Sequence, residues 1–365
     1  MPILWRYLLR SYFQVFSLCV TGFISVLLVT RFQSIARFAA TGATKLYVFK
    51  FIFYQIPFIL PLAIPISCLI AALLLFQKMS RSHELTALRV AGMGLTPIAF
   101  PLLACGAIIA MLNFTIVSEL GPKCRGLSKG LAYQMTAINP LCLLQKETLV
   151  RLKNTYVDMR VLKSGKYAED VCFIMRNFSN QRLGVCLAKK LSLEEQKIIG
   201  NDVTFISSID PKNQGCFDHL VIENQGEMQT GAPQLAQYLR SSDWSVGYDS
   251  LNLRMLQAKY SIEKGEDTKF NSRAIQEVSR RISLGLAAFI FTLIGVSYGM
   301  ETSRDRKLQG VFWACVLSAF YFIAFIAAKS MKHDWLLSTI FYLAPHPMIF
   351  LLCLHNFKKI GRGTT

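Results

Sequence analysis

Residues 11–30 read SYFQVFSLCVTGFISVLLVT, a stretch of twenty positions without a charge. A helix needs about 20 apolar residues to cross the hydrocarbon core of a bilayer, where each backbone amide must be satisfied within the structure itself. A run of this kind excludes most soluble folds. Further apolar stretches at 52–76, 98–117, 282–300, 311–328 and 335–354 bring the expected spans to six, three on each side of a central segment. The first run is too long for the apolar part of a cleavable signal, and no small-x-small site closes it. The second contains Pro57, Pro61 and Pro65, whose four-residue spacing places them near one face of a helix. Each proline frees a carbonyl that a neighbouring helix or a cavity must satisfy; a simple packing kink is the plainer reading.

The charge distribution agrees. Of 40 Lys+Arg and 22 Asp+Glu, residues 121–265 hold 19 and 14, a net of +5. The other +13 of the formal +18 flanks the apolar runs. Basic excess beside apolar segments marks membrane flanks and argues against a nucleic-acid surface, the other reading of a pI near 9.6. With the N-terminus inside, the inner loops and tails carry 11 basic residues, among them Arg6, Lys78, Arg304 and Lys358. The short outer loops carry six: Arg31, Arg37, Lys45, Lys50, Lys329 and Lys332. The bias predicts both termini in the cytoplasm and the central segment outside.

That segment has the pattern of strands. DVCFIMRN, GVCLAKKL, DVTFISSI and FDHLVIEN are short, rich in β-branched and aromatic residues, and separated by the turn-prone pieces FSNQRLG, IDPKNQG and LKSGK. The spacing predicts an antiparallel sandwich or barrel-like sheet. QLAQYLR and SLNLRMLQAKY read as helical and lead back to the membrane. The fold class expected is thus an α-helical integral membrane protein, six transmembrane helices with an inserted β domain. Residues 1–120 hold spans one to three, 121–265 the outer domain, and 266–365 spans four to six.

Chemistry-bearing motifs are sparse. The ten cysteines include no C-x-x-C pair, which argues against a zinc site. Five lie outside the spans (Cys124, Cys142, Cys172, Cys186, Cys216), an odd number that leaves room for one or two disulfides or for buried free thiols. There is no phosphate loop, so the chain does not hydrolyse nucleotide by that device. His83-Glu84 lacks the second histidine of a zinc helix, and no G-x-S-x-G elbow occurs. No cofactor is expected, and no metal.

Residues 77–97, QKMSRSHELTALRVAGMGLTP, join spans two and three. Ser80 and Ser82 are suited to cap a helix, Glu84 falls in its first turn, Leu85 and Leu88 share a face, and Gly92 and Gly94 suit its end. A short amphipathic cytoplasmic helix is predicted within 78–92. Such a helix either docks a partner or lies on lipid.

SRSHELTALRVAGMGL resembles the cytoplasmic coupling-helix segment of the LptF/LptG permease family, the membrane subunits of the lipopolysaccharide-exporting ABC transporter. RYLLRSYFQVF, the proline-rich second span, Glu277-x-x-x-Arg281 and the YGMETSRDRKLQG loop fit the same family. LAPHP in span six departs from it, standing where a Trp-x-Pro-Asn-like element is expected. The resemblance implies a machine of several parts. These are a second LptF/LptG-type permease, a cytoplasmic LptB-like ATPase dimer, and LptC-like and LptA-like periplasmic bridge proteins. The outer domain would be a jellyroll, and spans one and five would line a lateral gate. The resemblance assigns Glu84 alone to ATPase contact; from the helix pattern Leu85 and Leu88 are the candidate apolar anchors, and Arg89 a candidate partner for Glu84 or for the ATPase, although five residues is not a favoured pairing distance. The resemblance also places Arg31 at the lipopolysaccharide headgroup. Arg37, Lys123, Arg125 and Lys129 lie at outer span ends and are candidates to complete a phosphate-binding ring, against the alternative of snorkelling to ordinary membrane lipids. The rival functions are a membrane-bound lipid- or glycan-modifying enzyme and a non-transporting anchor of an export complex.

Overall fold

A computed structural model describes residues 3–40, 45–138, 150–152, 155–163, 167–176, 183–194, 197–209, 219–231, 247–263, 268–300, 309–331 and 334–361. The helices are α1 (Ile3–Ala40), α2 (Lys45–Arg81), α3 (Glu84–Val90), α4 (Leu95–Thr115), α5 (Gly121–Ile138), α6 (Leu253–Glu263), α7 (Thr268–Gly299), α8 (Gln309–Ser330), α9 (Trp335–Leu343) and α10 (Pro345–Gly361). A π-helical turn, Ile116–Leu120, joins α4 to α5 without a break, and a 3-10 turn, Tyr248–Ser250, precedes α6. The strands are β1 (Val150–Leu152), β2 (Thr155–Lys163), β3 (Tyr167–Arg176), β4 (Leu183–Glu194), β5 (Lys197–Ile209) and β6 (His219–Gly231).

Among the described residues, six helical stretches are long and apolar enough to cross a membrane. They lie where the six apolar runs predict them. Several extend well past those runs: α2 has 37 residues, about 55 Å at 1.5 Å per residue, against a hydrocarbon core of about 30 Å. The chain divides into two compact units. One comprises Met1–Arg31, Phe53–Gly126 and Val246–Thr365; the other comprises Phe32–Ile52 and Leu127–Ser245.

In the first unit α7 is the central helix, packed on α4, α9, α10 and α8. Small residues let it approach closely. A Cβ added at Gly295 would stand 2.7 Å from both the Ala72 Cβ and the Leu69 carbonyl oxygen on α2, so only glycine permits this distance. Pro57, Pro61 and Pro65 are all buried, in keeping with one inward face of α2. In span six the LAPHP residues separate α9 from α10, with Pro345 as the first residue of α10, the position where a missing N–H costs least. The next residue, His346, is 6% exposed and packs against Tyr321, ring centroids 5.4 Å apart and planes tilted by 32°.

The second unit holds a small helical core and the sheet. Phe38 of α1 stacks on Phe51 of α2 (centroids 4.4 Å apart, planes 9° apart), and Met135 of α5 belongs to the same cluster. All six strands form one antiparallel sheet in sequence order. β3 to β6 contain the four expected strands. β1 and β2 were not foreseen. SLNLRMLQAKY falls largely on α6 as expected. QLAQYLR and most of the three turn pieces lie outside the described residues.

A line of kinks crosses the sheet, with no shift of register between β3 and β4, β4 and β5, or β5 and β6. Ala168 and Val171 are three residues apart yet share the buried face of β3, because Asp170 between them has φ 51°. Their partners on β4, Leu191 and Ala188, are also three apart and buried. The corresponding pair on β5 is Gly200 and Val203, with Asp202 at φ 52°. On β6 it is Met228 and Gln225. Aspartate is among the residues that tolerate the left-handed region. Cys172 and Cys186 are free thiols. Cys142 and Cys216 lie outside the described residues.

Candidate functional site

Two places in the first unit concentrate polar and charged side chains. The first is α3. Its start is built differently from the serine cap predicted: Ser82 turns back and donates to the Lys78 carbonyl (2.9 Å), so its hydroxyl serves the end of α2. The N-cap of α3 is His83, at φ 58° and without a side-chain cap bond. The C-terminal end follows the glycine prediction. Gly92 has φ +83°, its N–H donates to the Arg89 carbonyl (3.0 Å), and the Met93 N–H donates to the Leu88 carbonyl (3.1 Å). This is a Schellman cap, with Met93 and Leu88 both packed on the core beside it.

The side chains of α3 correct one expectation. Leu85 is 1% exposed and sits in the chain's own core with Leu8, Leu95 and Ile360. A residue so enclosed has no surface to offer an ATPase, so Leu85 anchors α3 to its own bundle. Leu88 is half-buried against that core. The apolar side chain that α3 does present is Val90, 85% exposed, together with exposed Thr86, Ala87 and Ala91. Glu84 and Arg89 do not pair with each other. The Glu84 carboxylate accepts from the Tyr7 hydroxyl (3.4 Å), and the Arg89 guanidinium donates to the Ile360 carbonyl (3.4 Å).

The second place lies some 23 residues earlier on α2, about 35 Å along the helix from Arg81. Arg31 and Arg125 both lie over the Phe58 ring, their guanidinium carbons 4.5 and 4.6 Å from its centroid. Stacking on one aromatic ring holds two like charges at the same spot and leaves their N–H edges to bond other groups. Arg125 also forms an ion pair with Asp249 in the 3-10 turn. Phe58 and Arg125 line a cleft of about 590 Å³, with Asp249, Arg273, Arg280 and Lys329 on its wall. Four cations thus face two carboxylates there, those of Asp249 and Glu277.

Behind the cleft is a buried ionic knot. Arg280 grips Glu277 through two nitrogens, Nε to Oε2 at 2.8 Å and Nη2 to Oε1 at 2.6 Å. Arg281, with no exposed surface, donates to the same carboxylate at 2.9 Å. Its remaining nitrogens reach the carbonyls of Leu251 (2.8 Å), Tyr248 (3.1 Å) and Ser118 (3.4 Å). One arginine therefore ties α7 to the turn on which Asp249 stands and to the π-helical turn. A π turn leaves carbonyls displaced from the regular ladder, and an arginine donor suits that irregularity.

Of the five candidate cations, the structure brings Arg31 and Arg125 together. Lys123 pairs along its own helix with Glu119 (3.5 Å). Arg37 and Lys129 belong to the second unit. Arg273, Arg280 and Lys329 in the cleft were not among the sequence candidates. Their signal was present, since Arg273 and Arg280 precede the expected span 282–300 and Lys329 follows the expected span 311–328. Among the described residues no cluster of three or more metal-ligating side chains is present.

A family model matches the chain, and no individual curated protein matches it. The description of the matching family is "Lipopolysaccharide export system permease LptF/LptG", and the match runs from residue 6 to residue 359, through both helical blocks and the sheet between them. With six membrane-crossing helices, an inserted sheet and nearly full coverage, the chain belongs to the LptF/LptG permease family.

Proposed function

We propose that this chain is a permease subunit of an ABC transporter that extracts lipopolysaccharide from the bacterial inner membrane and hands it to a periplasmic bridge. The family match carries the reading. Both termini are then cytoplasmic and the sheet periplasmic, with a second LptF/LptG-type permease as partner and LptC-like and LptA-like proteins receiving the lipid. An LptB-like ATPase dimer supplies the work through α3. Glu84 and Arg89 sit at the two ends of that helix, and Val90 with its small neighbours replaces Leu85 as the surface that docks.

In the same reading the cation cleft takes the phosphorylated headgroup. Arg31 and Arg125 offer planar forks suited to phosphate, and Arg273, Arg280 and Lys329 add positive charge around them. The test is reconstitution. The chain, copurified with its partner permease and ATPase in proteoliposomes, is expected to release lipopolysaccharide to a periplasmic acceptor only when ATP is supplied. Glu84→Ala is expected to reduce ATPase copurification or to leave hydrolysis without release. Normal ATP-driven release by a well-folded Glu84→Ala protein would remove the coupling role, and turnover of a lipid by the isolated chain would favour an enzyme instead.

A further inference from the structure

We infer that Asp249 is a tethered counter-anion that exchanges with a lipid phosphate on Arg125, so that the cleft binds a headgroup weakly enough to release it. This rests on reading the cleft as a headgroup site. The two carboxylates there differ in kind. Glu277 is 10% exposed and gripped by two arginines, a pair that cannot open without stranding buried charge. The Asp249 side chain is 51% exposed and Arg125 22%, so this pair opens into water at little cost.

The backbone around Asp249 is nevertheless fixed. Arg281 holds the carbonyls of Tyr248 and Leu251, one on each side of it. The carboxylate cannot drift away when displaced; it stays within reach of Arg125 as a competitor at high local concentration. An arriving phosphate takes the guanidinium edge that Asp249 gives up, while Phe58 keeps the guanidinium plane in place. When the phosphate leaves, the carboxylate returns. A site built only of cations would hold its lipid, and a transporter must let it go.

The experiment measures binding of phosphatidic acid and of uncharged diacylglycerol to the full chain in detergent. Asp249→Asn is expected to tighten phosphatidic acid binding about two- to fivefold, the range an exposed ion pair controls. Diacylglycerol binding should not change. Asp249→Ser should behave like Asp249→Asn, and Asp249→Glu like the wild type. In an Arg125→Gln background, which itself weakens phosphatidic acid binding, Asp249→Asn should have no effect. If Arg125→Gln weakens binding but neither Asp249→Asn nor Asp249→Ser tightens it, the exchange is wrong and the headgroup site stands. If Arg125→Gln leaves phosphatidic acid binding untouched, the headgroup site fails at Arg125 and the exchange falls with it. Displacement of the lipid by equimolar inorganic phosphate would overturn a lipid ligand in favour of a free anion.

Discussion

The hydroxyl of Tyr7, one turn into α1, donates to the carboxylate of Glu84, the first residue of α3, across 3.4 Å. The two are 77 positions apart in sequence. Glu84 therefore has a partner within the chain while it stands at the positive end of a helix dipole. The bond is long and exposed, so its share of stability is small. A double-mutant cycle of Tyr7→Phe and Glu84→Gln, read by thermal unfolding in detergent, is expected to give a coupling below about 0.5 kcal/mol. Glu84→Gln alone should cost about 0.3–1 kcal/mol through the dipole. A coupling several times larger would make Tyr7–Glu84 a structural clamp and weaken the case that Glu84 is kept for a partner.

Arg281 should behave in the opposite way. It is fully buried and holds one carboxylate and three carbonyls. Its removal leaves Glu277 to Arg280 and strands the three carbonyls, and since each buried polar group left unsatisfied costs about 1–3 kcal/mol, the loss together is about 3–5 kcal/mol. Arg281→Ala is expected to lose that much, and Arg281→Lys nearly as much, since an ammonium cannot reach the same fan of acceptors. Arg280→Ala should cost less, because Glu277 keeps Arg281. Equal unfolding midpoints for Arg281→Lys and wild type would contradict the fan.

Two glycines mark different limits. Gly295→Val drives side-chain atoms into α2, where even a Cβ would stand 2.7 Å from Ala72 and Leu69, and should cost about 1–3 kcal/mol or abolish the folded peak in size-exclusion chromatography. At Gly92 there is open space around a Cβ, but φ is +83°. Gly92→Val should therefore loosen only the Schellman end of α3. The expected signature is faster hydrogen exchange at the amides of position 92 and Met93 with the bundle unaffected.

The sheet offers a pH readout. Burial, and secondarily the neighbouring Cys172, push the Cys186 thiol up from its ordinary value near 9 to about 11. The reactive species is the thiolate, so Cys186 should label slowly with maleimide at pH 8 and faster as pH climbs towards 11. The sign for stability follows from the same shift. The folded state favours the neutral thiol, so the contribution is complete below about pH 9 and is lost as pH rises through about 11. Cys186→Ser should flatten that alkaline loss. Rapid labelling of native protein at pH 8 would show that Cys186 is not enclosed.

The helices were readable because a bilayer leaves few options: uncharged runs such as 11–30 can be little else. The strands of β3 to β6 were readable from their composition. β1 and β2 were missed because TYVDMRVLK mixes charges into both faces and VRL is too short to carry a period. Arg31 and Arg125, which the structure sets over one ring, were named from their place at span ends and, for Arg31, from the family resemblance. Arg280 and Arg273 were passed over because a cation inside a helix reads as a flank until its neighbours from other helices are known. Leu85 was misassigned for a related reason. Spacing shows that Leu85 and Leu88 share a face, but it cannot say whether that face turns towards the bundle or away from it. Ser82 looked like a cap for α3, but its hydroxyl has carbonyls of the preceding turn closer at hand.

The kinks in β3, β4, β5 and β6 stand in one line, opposite one another from strand to strand with the register unchanged. On crossing that line, each strand changes which parity of residue number faces inward. A single-residue deletion in one strand would shift its parity on one side of the line while its neighbours kept theirs, turning charged side chains inward along a whole half-strand. Only a matched change in all four strands would restore agreement. The line thus acts as a lock on strand length, and homologous sheets built this way should accept insertions at their turns but not between Ala168 and Val171 or at the three positions paired with them.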